Sequence, residues 1–194
     1  MVVGDSTAAG HYDDAAHGFI VDLPNSWPAV AASLTGMAVV NLAIAGGGEI
    51  EARIAVDGAS AARVDFVVYA GGTNDTANWP GSIPELTARI DDLAAHVRAK
   101  WPGAKLLFLN VRRYSGIPND DRTLVPAWGV DSGVWARVTA WNRREAELGP
   151  VVDIQDLDFA GGAAYPDGVH PSLDQTRVLG RLVAAALTAA AGAR

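Results

Sequence analysis

Short apolar segments rich in β-branched residues alternate with longer helical patterns along the chain, and this alternation constrains the fold more than any other feature. The predicted strands are Met1–Val3, Ala38–Leu42, Phe66–Tyr69, Leu106–Asn110 and Val151–Ile154. The predicted helices are Trp27–Leu34, Glu49–Ala62, Pro84–Lys100, Val134–Leu148 and Ser172–Ala191. Because the strands are almost continuously apolar, we expect both of their faces to be buried, as in a parallel sheet covered by helices. The pattern therefore predicts an α/β fold, a three-layer α/β/α sandwich with a five-stranded parallel sheet.

The composition fits one domain of this kind and excludes several classes of function. A chain of 194 residues with 49% hydrophobic residues predicts a single domain over residues 1–194. The net charge of −7 argues against a nucleic-acid partner, because a surface that binds nucleic acid is basic. The absence of cysteine excludes disulfides, thiolate metal sites and a cysteine nucleophile. No apolar run reaches the roughly 18 residues that a membrane span requires.

The sequence leaves the compartment and the oligomeric state open. No signal-peptide pattern precedes Gly4. A chain without cysteine is compatible with both a cytoplasmic and a secreted location. The sequence also does not determine whether Met1 is the natural start.

Candidate ligand-binding residues follow three of the predicted strands, at the strand ends where ligands bind in open α/β sheets. Ser6 follows the first strand, a run of glycines begins at Gly46 after the second, and Asn74 and Asp75 follow the third. Each feature has an ordinary structural interpretation: a serine that caps a helix, a flexible glycine turn, and an asparagine that caps a turn. We expect Asp75 to brace its turn by accepting backbone hydrogen bonds. The shared position at strand ends makes the combination more specific than any single feature.

An Asp-x-x-His pair, Asp167 and His170, precedes the last predicted helix. A carboxylate at this spacing can fold back on a turn and accept a hydrogen bond from one imidazole nitrogen. The other nitrogen is then available to act as a base. Such a pair alone is more often structural than catalytic.

Four blocks of the chain together resemble the SGNH hydrolase superfamily of GDSL-type esterases and lipases. The matching blocks, in chain order, are Gly4-Asp5-Ser6, residues 41–46, Gly72-Thr73-Asn74-Asp75 and Asp167-Gly168-Val169-His170-Pro171. They span nearly the whole chain, and their order and spacing both agree with the family. The resemblance implies a flavodoxin-like sandwich of five parallel strands.

The resemblance also implies a catalytic role for particular residues. Ser6 would be the nucleophile, His170 its base and Asp167 the carboxylate that orients the base. The oxyanion donors would be the backbone N–H of Ser6, the backbone N–H of Gly46 and the side-chain amide of Asn74. This chemistry requires neither a metal nor an organic cofactor.

Further residues are candidates for the wall of a substrate pocket, with packing of a long loop onto the body of the protein as the alternative. They are Gly47, Trp79, Tyr114, Trp128 and Trp135. The connection from about residue 112 to 132 is long enough to suggest a functional segment. A different group, His11, Asp13, Asp14 and His17, predicts a solvated loop after the nucleophile, with metal binding as the less favoured alternative.

The function that these features favour is a serine esterase acting on small-molecule or carbohydrate esters. A short-chain acyl ester or an O-acetyl group on a carbohydrate fits a chain of this size better than a long-chain lipid does. An acyltransferase with the same acyl-enzyme and a non-catalytic binding module on the same fold are the alternatives. A nucleotide or flavin binder is disfavoured, because no Gly-x-Gly-x-x-Gly pattern follows a strand.

Overall fold

The computed structural model describes residues 1–14, 18–112, 132–155 and 169–192. The strands are β1 Val2–Gly4, β2 His11–Asp14, β3 Gly18–Val21, β4 Phe66–Ala70, β5 Lys105–Leu109 and β6 Val151–Val152. The helices are α1 Trp27–Thr35, α2 Glu49–Gly58, α3 Thr73–Asn78, α4 Ile83–Lys100, α5 Ser132–Leu148 and α6 Leu173–Gly192. None of the described helices is long and apolar enough to cross a membrane.

The central sheet is parallel and has the order β1-β4-β5-β6. The described part of the chain gives it four strands, so the prediction of five is wrong. Segment 38–42 does lie beside β1, and Val2 exchanges hydrogen bonds with Val40 and Leu42 at 2.9 and 2.8 Å. Regular pairing is limited to a single bridge between Val2 and Asn41, because β1 is only three residues long. One further hydrogen bond, from the Ile44 N–H to Gly4 O at 3.0 Å, continues it.

Side chains alternate across the sheet and supply both layers of the core. Val2, Val68 and Leu107 face α1 and α6, in a cluster that includes Trp27 and Val183. The intervening residues face the other way and pack against α2, α4 and α5; they include Val3, Val67, Tyr69 and Phe108. The three-layer α/β/α sandwich is therefore confirmed.

An antiparallel hairpin follows the first strand, where a solvated loop was predicted. His11 pairs with Val21 and Asp14 with Gly18, so backbone pairing organises the segment despite its polar sequence. Residues 18–21 are Gly-Phe-Ile-Val, and the apolar run that they contain has the β-branched and aromatic residues that favour strands. His17 lies outside the described residues.

The last strand is shorter than predicted because a side chain replaces its backbone pairing. Asn110 lies just beyond β5, and its backbone N–H donates to Val152 O at 3.4 Å. Its side-chain oxygen then accepts the Ile154 N–H at 2.8 Å, which ends the regular ladder at Val152. The effect is to fix the carboxyl edge of the sheet, where the polar residues of the site are located.

Candidate active site

A tight turn at the end of β1 presents Ser6 at the carboxyl edge of the sheet. Gly4 has a φ of 152°, and a Cβ on it would stand 1.9 Å from the carbonyl oxygen of Ala70, so only glycine fits. The next backbone N–H, that of Asp5, donates to the same Ala70 oxygen at 3.0 Å. The turn is thereby fixed to β4 immediately before Ser6.

The carboxylate of Asp5 stabilises this turn by accepting hydrogen bonds. It accepts hydrogen bonds from the Thr7 N–H at 3.1 Å and from the Thr7 hydroxyl at 2.9 Å, and the side chain of Thr73 also donates to it. Burial raises the pKa of Asp5, while these hydrogen bonds and the nearby His170 act in the opposite direction. Asp5 was not predicted to hold the turn, although the Asp-x-Thr spacing is typical of a side chain that folds back on its own turn.

The structure brings Ser6 and His170 together across almost the whole length of the chain. Ser6 Oγ lies 2.8 Å from His170 Nε2, although the two residues are 164 positions apart. This is hydrogen-bond distance, so a proton can pass directly from the hydroxyl to the ring. Asp167, the predicted partner of the imidazole, lies outside the described residues.

Arg112 supports the segment that carries His170. Its guanidinium is buried at the end of β5 and donates to the carbonyl oxygen of Val169, the residue before the imidazole. Arg112 was not among the predicted site residues. An arginine directly after a buried strand, at the edge where ligands bind, was the available signal.

The glycine turn after segment 38–42 leaves one backbone donor available. The Gly47 N–H donates to Ile44 O at 3.0 Å, and the Gly48 N–H donates to Glu51 Oε2 at 2.8 Å. Within the described residues the Gly46 N–H forms no hydrogen bond, and Gly46 has a left-handed φ of 72° that favours glycine. Of the three glycines, Gly46 is therefore the one that can donate to a ligand.

Asn74 and Asp75, at the start of α3, hold the glycine turn from the other side. Asn74 Nδ2 donates to Gly47 O at 2.8 Å. The Asp75 carboxylate accepts a backbone hydrogen bond, as expected, but from the N–H of Glu49 in α2, at 3.1 and 3.3 Å, rather than from its own turn. Burial raises the pKa of Asp75, partly offset by the Glu49 N–H and by Arg89.

The predicted pocket residues have varied environments. Trp79 is partly buried, its indole N–H donates to Ser82 O at 2.9 Å, and the guanidinium of Arg89 lies 5.0 Å from the centre of its ring. Trp135 packs against the core. A Cβ on Gly47 would stand 2.9 Å from Ile44 O, so this residue serves the turn. Tyr114 and Trp128 lie outside the described residues.

A small cavity of about 30 Å³ lies at the carboxyl ends of the strands. Its lining includes Asp5, Thr73, Arg112 and Val169. The volume is sufficient for a single water molecule, and the lining offers polar partners for one. No group of three or more histidine, aspartate or glutamate side chains is placed to hold a metal ion in the part of the chain that the structure describes.

The chain is similar in sequence to one family and in structure to several solved esterases. The model of the GDSL-like lipase/acylhydrolase family matches residues 2–178. The sequence matches no curated protein.

Among solved structures, a carbohydrate acetylesterase from Sinorhizobium meliloti superposes with a TM-score of 0.73 at 14% identity, over 97% of each chain. The aryl esterase of M. smegmatis gives a TM-score of 0.67 at 16% identity, again over 97% of each chain. A family 2 carbohydrate esterase with a carbohydrate-binding domain from Corynascus thermopiles gives 0.73 at 20% identity, over 98% of this chain and 65% of that one. At these identities the likeness shows the fold alone.

Proposed function

Because the chain belongs to the GDSL-like lipase/acylhydrolase family, we propose that it hydrolyses carboxylic esters through an acyl-enzyme on Ser6. The observation that carries this proposal is the 2.8 Å contact between Ser6 Oγ and His170 Nε2. A serine hydroxyl is a weak nucleophile unless a neighbouring base removes its proton as it attacks. The contact supports His170 as this base, because its Nε2 lies within hydrogen-bond distance of the Ser6 hydroxyl.

The reaction proceeds in two balanced halves. Ser6 Oγ attacks the ester carbonyl carbon as His170 Nε2 takes the hydroxyl proton, and the tetrahedral intermediate collapses as the imidazolium returns that proton to the departing alcohol. A water molecule then attacks the acyl-serine while His170 takes its proton. The second intermediate collapses as the imidazolium returns its proton to Ser6 Oγ, which releases the carboxylic acid and restores the serine. Asp167 is proposed to orient the imidazole and to stabilise its charged form.

The negative charge on the carbonyl oxygen requires donors that are already in place. We assign this role to the backbone N–H groups of Ser6 and Gly46 and to the side-chain amide of Asn74. Such donors stabilise the transition state more than the ground state, so they raise kcat. The described contacts support this assignment, because Asn74 lies against the glycine turn that carries the Gly46 N–H.

The proposed substrates are short-chain acyl esters, including O-acetyl groups on carbohydrates. This choice is supported by the fold shared with a carbohydrate acetylesterase and a family 2 carbohydrate esterase. An acyltransferase would use the same acyl-enzyme and transfer the acyl group to an alcohol. The two differ only in the acceptor of the second half-reaction, so a competition between water and alcohol separates them.

The test is a series of p-nitrophenyl esters from acetate to decanoate, assayed with the wild type and with Ser6→Ala. We expect the fastest turnover with the shortest chains and its loss in Ser6→Ala. The matched control is Ser33→Ala, an exposed serine on α1, which should retain full activity. A fluorophosphonate should label the wild type at Ser6 and leave Ser6→Ala unlabelled. Hydrolysis that survives in Ser6→Ala would refute the assignment.

The same assay distinguishes the acyltransferase. Added alcohol should leave the yield of free acid unchanged if the protein is a hydrolase. A transferase would convert most of the acyl group into the new ester. A protein that binds esters without turning them over would instead support the non-catalytic module.

A further inference from the structure

The glycine turn is held by two successive residues of α3, and the second of them is a buried carboxylate. Asn74 contacts the turn at Gly47 O, and Asp75 contacts it two residues later at the Glu49 N–H. A Cβ on Gly48 would stand 2.8 Å from Asp75 Oδ1, so the carboxylate lies directly against the backbone of the turn. Asp75 therefore contacts the two residues, Gly48 and Glu49, that follow the Gly46–Gly47 part of the turn.

A second buried carboxylate, that of Glu49, lies close to Asp75, and the two repel each other when both are ionised. Glu49 is only 1% exposed and Asp75 only 6% exposed. Burial raises the pKa of both groups, and each is raised further by a neighbouring carboxylate, Asp75 for Glu49 and Glu51 for Asp75. Two buried carboxylates this close repel each other, and a cation that contacts both of them offsets the repulsion.

Arg89, from α4, is that cation. Its Nε donates to Glu49 Oε2 at 3.1 Å, and its terminal nitrogen lies 3.3 Å from Asp75 Oδ1. The guanidinium carbon lies over the ring of Trp79, 5.0 Å from its centre, so a cation–π contact adds to the two ion pairs. A second arginine, Arg53, is farther away, 3.8 Å from Glu49 Oε1.

We propose that Arg89 is a positioning residue for the oxyanion donors, acting through Asp75 on the glycine turn. The inference rests on the proposed function, because it assigns a purpose to donors that the proposed acyl-enzyme chemistry requires. Without the guanidinium, Asp75 must take up a proton or turn away from Glu49. Either change weakens its hydrogen bond to the Glu49 N–H and loosens the turn that carries the Gly46 donor.

The test compares Arg89→Met with Arg89→Lys on p-nitrophenyl acetate. We expect kcat to fall about 10- to 100-fold in the methionine variant with KM within threefold of the wild type, because mispositioned donors act on the transition state. Lysine keeps the charge but cannot reach two carboxylates with a planar fork, so its kcat should fall less. The matched control is Arg144→Met, which breaks an ion pair of 2.7 Å between α5 and Asp91 of α4 and should leave kcat within twofold.

A second readout is independent of turnover. Hydrogen exchange at the Glu49 amide should accelerate at least tenfold in Arg89→Met and stay unchanged in Arg144→Met. A kcat within threefold of the wild type in folded Arg89→Met would overturn the inference. If that variant does not fold, Arg89→Lys decides: a kcat equal to that of the wild type overturns the inference, and a selective loss of kcat supports it.

Failure of the proposed function has a different signature. Activity that survives Ser6→Ala removes the serine mechanism and, with it, the catalytic part of this inference. Ser6-dependent activity that is indifferent to Arg89 leaves the mechanism in place and removes Arg89 alone.

Discussion

Two buried carboxylates hold the two backbone turns of the candidate site, and they do so with different partners. Asp5 is 3% exposed and Asp75 is 6% exposed. Asp5 is satisfied by neutral donors, the N–H and hydroxyl of Thr7 and the side chain of Thr73. Asp75 accepts a backbone N–H from another helix and is paired with Arg89.

The difference follows from how far apart the held segments are in the sequence. Thr7, two residues along the chain, supplies a hydroxyl and an amide to Asp5, and the further donor from Thr73 is also neutral, so no like charge is brought to this turn. The Asp75 turn joins three helices, and its second carboxylate comes from Glu49, 26 residues away. A turn assembled from distant segments places like charges together, and a cation is then needed to stabilise the arrangement.

The largest expected effect concerns the residue beside Asp75. We expect Asn74→Ala to lower kcat by about 10²–10³, or about 3–4 kcal/mol, because an oxyanion donor is lost. KM should change little, and the free energy of unfolding should stay close to that of the wild type, because the side chain is only partly buried. Steady-state kinetics and urea denaturation measure the two effects. A loss in kcat below threefold would contradict the assignment.

The Asp5 turn is tested with Thr7→Val. A loss of activity as large as that expected at the Asp75 turn would contradict the difference between the two turns. It removes the hydroxyl that donates to Asp5 at 2.9 Å and leaves a buried carboxylate short of a donor. We expect a stability loss of about 1–3 kcal/mol, measured by urea denaturation. The Thr7 backbone N–H remains, so kcat should fall less than in Arg89→Met. A larger fall would mean that the local turn is the more sensitive of the two.

Distance along the chain also determines how much of the candidate site could be predicted from the sequence. The positions of Ser6 and Asn74 follow from where strands end, and the brace at Asp75 follows from its place in a turn. The cation that stabilises this brace could not be predicted, because Arg89 lies 40 residues from Glu49 and resembles any other arginine on a helix.

The errors in the fold have the same origin. Segment 38–42 has the composition of a strand, but how far it pairs depends on the length of β1, which has only three residues. The hairpin of residues 11–14 and 18–21 is stabilised by cross-strand pairing that its polar first half does not indicate. Both outcomes depend on a neighbouring segment, which local composition does not specify.

A fourth buried carboxylate, Glu145, has only one neutral donor and no paired cation among the described residues, and it provides the last test. It is completely buried, its Oε1 accepts the indole N–H of Trp141 at 3.1 Å, and its Oε2 has no hydrogen-bond partner among the described residues. Burial raises the pKa of Glu145 well above its ordinary value, only partly offset by the indole. Between the ordinary and the raised pKa, the folded state therefore keeps a proton that the unfolded state has released. The stability linked to Glu145 is complete below the ordinary glutamate pKa and is lost as the pH rises through the raised value.

Glu145→Gln should remove this dependence, because the amide cannot ionise. We expect the two proteins to have similar free energies of unfolding near pH 4, and the variant to become the more stable one as the pH is raised. The difference should widen as the pH rises from the ordinary towards the raised glutamate pKa, because only the unfolded state releases its proton in that range. Urea denaturation at several pH values measures it. Parallel stability curves for the two proteins would show that Glu145 ionises normally, and a single neutral donor would then be enough to hold a buried carboxylate.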